Sequence, residues 1–369
     1  MSEKRYVVET IQAKSLENNP LNSPSERELH IYLPPNYFDS NKRYPVIYFL
    51  NGYSGNNKKL AVSPRIEDNL FVFPTSYPPE IKNQIDFDRL PSYVKFDELI
   101  TTGELPPFIF VEPDGSLHLP HKLGVKEAWG DVKTKGCFYV NSPFTGNYED
   151  YIVNDVVGYM DKNYRTIQDK QHRAIMGLSM GGVGTLSIIS AHANKFNAAA
   201  SISPAEVTID NIKDFLDFKL IPPLFAKLLG KEMAKQAINA FWVDALDTVD
   251  LIYSKDNPLV SSIEQDATGK IVRWNQQASE NWQKYDLINK FRDNSEALKD
   301  VHILLNCEKT DDFGCAWRTQ TLHEALVELG IDHKYDLYSD PKAAALSAHY
   351  FGCLYSILPS IGFCLQHLT

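Results

Sequence analysis

Positive charge is scarce in this sequence of 369 residues: 37 lysines and arginines are outnumbered by 47 aspartates and glutamates, and the formal net charge is -10. Nucleic acids and anionic membranes are bound mainly through basic surfaces. The charge balance therefore argues against both as partners. The N-terminus, MSEKRYVVET, contains no apolar segment, so we expect no secretory signal and a cytoplasmic location.

Cysteines are also few, and their spacing excludes two structural roles. There are five, an odd number, without the close pairs of a disulfide framework or a zinc cluster. Cys353 and Cys364 fall in one predicted helix, where eleven residues span about 16 Å, too far for a disulfide. We expect reduced cysteines and no metal site.

Residues 172–189, HRAIMGLSMGGVGTLSII, concentrate glycine around one serine, yet two nucleotide-binding patterns are incomplete there. Gly182 and Gly184 would begin the dinucleotide fingerprint G-x-G-x-x-G, but Ser187 replaces its last glycine. Gly177 and Gly182 have the spacing of a phosphate-binding loop, but no lysine follows. Neither pattern therefore predicts a nucleotide site.

The same segment matches the pattern G-x-S-x-G in full, as Gly177-Leu178-Ser179-Met180-Gly181. In this pattern a sharp turn between a strand and a helix exposes the serine hydroxyl at the edge of a sheet. Small residues on either side of the serine let the strand and the helix pass close together. The alternative is an ordinary glycine-rich junction, and the rest of the chain decides between the two.

Strand and helix patterns alternate over most of the chain. The predicted strands are 6–11, 28–33, 45–50, 107–113, 173–177, 198–203, 301–306 and 334–339. The predicted helices are 93–101, 147–164, 180–192, one ending at Gly330, and an uncharged segment from Ala348 onward. Pro359 and scattered polar residues make a membrane span less probable than a buried helix for that last segment. The alternation predicts an α/β fold, a doubly wound, mostly parallel sheet in a single domain over 1–369.

Residues 206–300 interrupt the alternation with helical patterns and three tryptophans, Trp242, Trp274 and Trp282. One helix opened by Pro222 and Pro223 would carry apolar residues at helical spacing: Phe225, Leu229, Met233, Ala237 and Phe241. We interpret 206–300 as a helical insertion that caps an apolar pocket. The alternative is that these residues only fill a small core of the insertion itself.

A reactive serine needs a histidine base and a carboxylate that orients the histidine. In α/β-hydrolases the acid and then the histidine follow the serine, on loops after late strands. The loop CEKTDDFG after the strand 301–306 offers three carboxylates: Glu308, Asp311 and Asp312. Among the later histidines, His349 falls between the last strand and the closing helix. For the oxyanion, we expect backbone N–H donors from Met180 and, in the loop NGYSG, from Tyr53.

Four segments closely resemble the "Putative esterase" family, which includes esterase D, feruloyl esterases and the mycolyltransferase antigens. They are YLPPNYFDSNKRYPVIYFLNGYSG, GNYEDYIVNDVVGYMD, RAIMGLSMGGVGTL and CEKTDDFG. The resemblance implies an α/β-hydrolase fold, hydrolysis of carboxylic esters and no cofactor. By position it makes Ser179 the nucleophile, Asp311 the acid and His349 the base. Asp312 would then face water or cap the helix that begins near Cys315.

These observations together predict a serine carboxylesterase that acts on a small-molecule ester through an acyl-enzyme. An acyltransferase, or a thioesterase acting on S-formylglutathione, would use the same three side chains. A non-catalytic binding protein on a hydrolase scaffold would use none of them.

Overall fold

The computed structural model describes residues 5–53, 61–65, 77–118, 134–208, 221–253, 263–265, 271–274 and 281–368. Within these ranges, the side chains of 118, 134, 239–240, 242–244, 263–265 and 271–274 are not described. The predicted roles of Trp242 and Trp274 in the cap therefore lie outside the described residues.

The strands are numbered here in chain order. They are β1 Tyr6–Gln12, β2 Glu26–Tyr32, β3 Val46–Leu50, β4 Ile109–Pro113, β5 Ser116–His118, β6 Thr134–Gly136, β7 Asn141–Ser142, β8 Gly146–Asn147, β9 Arg173–Leu178, β10 Ala198–Ile202, β11 Ile263–Gln265, β12 Ile271–Trp274, β13 His302–Glu308 and β14 His333–Tyr338.

The α-helices are numbered in the same way. They are α1 Pro79–Lys82, α2 Tyr93–Thr101, α3 Tyr148–Asp150, α4 Val157–Asn163, α5 Met180–His192, α6 Pro223–Leu229, α7 Lys231–Tyr253, α8 Leu287–Asp293, α9 Ser295–Leu298, α10 Cys315–Glu328, α11 Pro341–Ala344 and α12 Ala348–Gln366. A π-helical segment, Tyr151–Val156, joins α3 to α4, and the short 3-10 helices are Lys14–Leu16, Phe87–Arg89, Lys170–His172 and Asn281–Tyr285.

Eight strands form one sheet in the order β1-β2-β4-β3-β9-β10-β13-β14. β2 pairs antiparallel with β1 and β4, and the other neighbours pair in parallel. The eight predicted strands agree with these within two residues at each end. The predicted α/β fold with a mostly parallel sheet is therefore confirmed. Because parallel strands end at the same edge, the loops after β3, β9, β13 and β14 lie side by side.

The sheet is buried on both faces, because its central strands are continuously apolar. In β3, Tyr48 and Leu50 join one apolar cluster, while Ile47 and Phe49 join a second cluster on the opposite face. Helix α12 packs on the second face against β9, β10 and β13. It is long and apolar enough to cross a membrane, and 72% of its most apolar window is buried in this structure. The predicted packing of this helix against the sheet is confirmed.

The chain between β10 and β13 contains helices α6 to α9 and the small hairpin β11–β12. The prediction of a single helix after Pro222 is wrong, because Gly230 (φ 77°) separates α6 from α7. Leu229 and Met233 are exposed as a result, whereas Phe241 on α7 packs with Ile238. The hairpin was missed because its strands are only three and four residues long. The assignment of 206–300 as a cap stays a prediction.

A close approach between β3 and α5 determines the turn that carries Ser179. A Cβ atom on Gly181 would lie 1.9 Å from the carbonyl oxygen of Leu50, and one on Gly177 would lie 2.4 Å from that of Gly181. Only glycine leaves room for these contacts. The N–H of Ser179 donates to the carbonyl of Ile202 at 2.8 Å, which ties the turn to β10.

Replacement of Gly181 by Ala is expected to lower the free energy of unfolding by more than about 2 kcal/mol, because the added methyl group overlaps the backbone of β3. Gly158 is the matched control. It lies exposed in α4, and a Cβ there meets nothing within 4 Å. Gly158→Ala should stabilise the protein by about 0.5–1 kcal/mol. Urea unfolding of both variants measures this; equal stabilities would contradict the close approach.

Candidate active site

Ser179 lies at the end of β9, immediately before α5. Its backbone adopts φ 55° and ψ -119°, a strained conformation for a residue with a side chain. The turn is short because α5 begins at Met180, which is followed by the small residues Gly181 and Gly182. This local geometry presents the serine side chain at the carboxyl edge of the sheet.

His349 connects Ser179 to the acid loop through both of its ring nitrogens. Its Nε2 lies 3.0 Å from Ser179 Oγ, and its Nδ1 lies 2.8 Å from Asp311 Oδ2. The residue belongs to the first turn of α12 rather than to the preceding loop, because Ser347 caps that helix through the N–H of Tyr350. The structure thus brings Ser179, His349 and Asp311 into one hydrogen-bonded chain.

Asp311 lies in the loop after β13 and is buried. Burial acts to raise its pKa, but His349 and the backbone N–H groups of Phe313 and Cys315 lower that pKa below its usual value. Burial acts in turn to lower the pKa of His349, and the Asp311 carboxylate outweighs this and raises it. Each partner therefore favours the charged form of the other.

Asp312 neither faces water nor caps the helix near Cys315, in contrast to the sequence-based expectation. It is buried and accepts hydrogen bonds from Ser347 Oγ (3.1 Å) and from the N–H groups of Ala348 (3.1 Å) and His349 (2.9 Å). The N–H of Cys315 instead donates a hydrogen bond to Asp311. Burial and the neighbouring Asp311 raise the pKa of Asp312 to about 6. Asp312 thus caps α12 and holds the backbone of His349.

Glu308, the third candidate carboxylate, forms its hydrogen bonds with groups other than the histidine. Its Oε2 accepts from the N–H and the hydroxyl of Thr310, and its Oε1 accepts from the N–H of Asp340 at 3.1 Å. All of its hydrogen bonds here go to loop residues after β13 and β14. This carboxylate therefore organises the loops and does not contact His349.

The predicted oxyanion donors are Tyr53, in the loop after β3, and Met180, the residue that follows Ser179. Met180 is the first residue of α5. Tyr53 follows Gly52, and a Cβ on Gly52 would lie 3.5 Å from Ser179 Cβ. The loop after β3 therefore passes directly beside the serine, and the use of the two N–H groups as donors stays a prediction.

A buried glutamate supports that loop, and sequence reasoning missed it. Glu112 in β4 accepts from Tyr93 OH at 2.9 Å and lies 3.4–3.5 Å from the N–H of Val62 and Nδ2 of Asn51. Asn51 Oδ1 in turn accepts from the N–H of Ala61 at 3.0 Å. Burial raises the pKa of Glu112 to about 8. The signal in the sequence was a single acidic residue inside the apolar strand IFVEP.

One group of possible metal ligands occurs among the described residues. The ligand atoms of Asp311, Cys315 and His349 lie within 4.8 Å of one another. Burial raises the pKa of Cys315 well above its usual value, which keeps the thiol protonated and unsuited to a metal. His349 Nδ1 and Asp311 already satisfy each other. The arrangement fits a hydrogen-bonded acid and base better than a metal centre.

Three aromatic side chains lie in a row beside the histidine. Phe313, from the acid loop, stacks on the His349 ring at 4.5 Å between centroids. Phe241 on α7 contacts Phe313 at 5.7 Å and Tyr53 at 5.6 Å, both edge-on. The site thus combines a serine, a base and a buried acid with apolar walls, an arrangement suited to nucleophilic attack on an acyl group.

Comparison with known proteins gives consistent results. A family model described as "Putative esterase" matches residues 127–339, more than half of the chain. Over 190 residues the chain is 27% identical to an endo-1,4-beta-xylanase/feruloyl esterase of Xylanibacter ruminicola; the aligned segment is 50% of this chain and 20% of that protein. The chain thus spans about a fifth of the length of this relative.

Two solved structures show the same fold over nearly their whole length. One is a ferulic acid esterase, with a TM-score of 0.56 and 19% identity over 99% of this chain and 98% of the other. The second is an S-formylglutathione hydrolase from Staphylococcus aureus, with a TM-score of 0.50 and 14% identity over 98% of each chain. The fold is that of the α/β-hydrolases, and the chain belongs to the "Putative esterase" family.

Proposed function

We propose that this chain hydrolyses carboxylic esters through a covalent acyl-enzyme, with Ser179 as the nucleophile, His349 as the base and Asp311 as the acid. The observation that carries the proposal is the hydrogen-bonded chain from Ser179 Oγ through both His349 nitrogens to Asp311, at 3.0 and 2.8 Å. These are the distances at which a base can take the proton of a serine.

In the first half of the reaction, His349 Nε2 takes the Ser179 proton as Oγ attacks the ester carbonyl carbon. The tetrahedral oxyanion is stabilised by the N–H groups of Met180 and Tyr53. The C–O bond to the alcohol then breaks, and the imidazolium of His349 protonates the leaving alcohol. Ionised Asp311 stabilises that imidazolium and fixes the tautomer of the neutral ring.

In the second half, a water molecule gives its proton to His349 Nε2 and attacks the acyl carbon. The bond to Ser179 Oγ breaks, the serine regains its proton from His349, and the carboxylic acid leaves. Burial of both side chains, with Phe313 stacked on the His349 ring, limits the access of bulk water to the ion pair, which strengthens the interaction between His349 and Asp311.

The substrate that we propose is a small ester of an aromatic acid. Phe313 stacks on the base and Phe241 packs edge-on against Phe313 and Tyr53, and such stacked or edge-on contacts favour an aromatic acyl group. The names of the similar proteins, feruloyl esterase and ferulic acid esterase, agree with this choice. A thioester of glutathione is the alternative, as in the name of the second solved structure.

Ser179→Ala is expected to reduce kcat for p-nitrophenyl acetate by at least about 10⁴-fold and to preserve the fold. Mass spectrometry after treatment with a serine-directed phosphonate should find the adduct on the peptide that contains Ser179. Ser40→Ala, before β3 and at the opposite end of that strand, is the control and should keep full activity. An adduct on another serine would show that the nucleophile is misassigned.

Asp311→Asn should lower kcat by about 10⁴-fold, because the amide favours the wrong histidine tautomer. Asp312→Asn should stay within about tenfold, because it caps α12 and does not touch the ring. The carboxylate of Asp311 raises the pKa of His349, so its loss should also move the acidic limb of the pH–rate profile to lower pH. If the two variants behaved the other way round, the acid would be Asp312.

A panel of methyl ferulate, p-nitrophenyl acetate and S-formylglutathione tests the substrate class. We expect the highest kcat/KM on methyl ferulate, because the acyl ring adds apolar contacts with Phe241 and Phe313. Phe241→Ala should reduce kcat/KM for methyl ferulate at least about tenfold more than for the acetyl ester. A higher kcat/KM on S-formylglutathione would contradict the aromatic ester and favour the thioester.

A further inference from the structure

One side chain of helix α7 is joined directly to the loop beside Ser179. The phenol oxygen of Tyr53 and Thr248 Oγ1 lie 2.7 Å apart and share a hydrogen bond. Thr248 is buried, with only 1% of its surface exposed. Tyr53 is also the residue whose backbone N–H is assigned above to the oxyanion. The hydrogen bond therefore links the segment between β10 and β13 to a backbone group of the reaction.

The same face of α7 also reaches the acid loop. Phe241 and Thr248 are seven residues apart, about two helical turns, and so lie on one side of the helix. The Phe241 ring contacts Tyr53 and Phe313, and Phe313 stacks on His349. One helix therefore touches the loops after β3 and β13 at the same time.

The loop after β3 needs such support because glycine precedes Tyr53. Asn51 is held by the N–H of Ala61 (3.0 Å) and by Tyr139 OH, which donates to its carbonyl oxygen at 3.3 Å. Gly52 then adds backbone freedom between this anchor and Tyr53. On the C-terminal side of Gly52, the Tyr53 side chain contacts Thr248 and Phe241, and these contacts help to fix the loop there.

We propose that Thr248 is a positioning residue: through its hydrogen bond to the Tyr53 phenol, α7 holds the backbone N–H of Tyr53 where it meets the oxyanion. This inference rests on the function proposed above. An oxyanion donor acts in the transition state and contributes little to ground-state binding. Loss of the hydrogen bond should therefore lower kcat and leave KM almost unchanged.

The test is a double-mutant cycle with Thr248→Val, which replaces the hydroxyl by a methyl group of similar size, and Tyr53→Phe, which keeps the ring and the backbone N–H. We expect each variant to lower kcat for p-nitrophenyl acetate by about tenfold, with KM within twofold. The double variant should be no slower than either single one, because both remove the same hydrogen bond. Thr248→Ser should restore at least half of the wild-type kcat.

A boronic acid that mimics the tetrahedral intermediate provides a second readout. Its inhibition constant should rise by about the same factor as kcat falls, whereas the inhibition constant of the product acid should not change. Tyr285→Phe is the matched control, since that phenol joins the same segment to the carbonyl of Asn141 at 3.2 Å, away from Ser179. It should keep the wild-type kcat.

Three results would overturn the inference: losses in KM alone, losses that multiply in the double variant, or an unchanged kcat in Thr248→Val. The first two would make the two side chains pocket walls that act separately. Failure of the proposed function looks different, because either the wild-type chain would then lack esterase activity or Ser179→Ala would retain it. If Ser179→Ala is inactive and Thr248→Val keeps its kcat, only the positioning role is wrong.

Discussion

The site depends on one close approach, between the end of β3 and the first turn of α5 at Gly181. The carbonyl of Leu50 occupies the space that any Cβ would need. This contact brings the loop that begins at Asn51 against the turn of Ser179, while the bond from Ser179 to Ile202 fixes the turn on the other side. A serine with φ 55° persists because the strands on both sides determine its position. The helix that carries His349 then meets Ser179 at this fixed turn, and the loop that carries Asp311 meets His349.

The central strands of the sheet were predictable because their continuously apolar sequences favour burial on both faces. A short, continuously apolar segment such as β3 or β10 fits a buried central strand because it is too short for a helix, and the patterns locate these strands within two residues. The break at Gly230 and the hairpin β11–β12 were not predictable in the same way. Apolar residues at helical spacing continue across Gly230 in the sequence, so their spacing does not reveal the break. A strand of three residues is too short to show an alternating pattern.

Ser179 was predictable from local spacing, and His349 from its order along the chain. The role of Asp312 was not, because its three partners belong to a helix that begins 36 residues later in the sequence. The contact of Tyr53 with Thr248 joins residues 195 positions apart, and no local pattern encodes such a pair. Local chemistry therefore predicted the candidate reacting groups, and only the fold revealed the side chains that contact the loops around them.

Glu112 is expected to make the loop beside Ser179 sensitive to alkali. An unfolded glutamate loses its proton near pH 4.3, whereas burial raises the pKa of this one to about 8, against hydrogen bonds from Tyr93, Val62 and Asn51 that lower it. Folding therefore takes up a proton between these two values. The contribution of Glu112 to stability is complete below the lower value and is lost progressively as the pH rises toward the upper one. Above it, the chain must keep a buried anion beside Asn51, so an alkaline medium should loosen this loop before it unfolds the sheet.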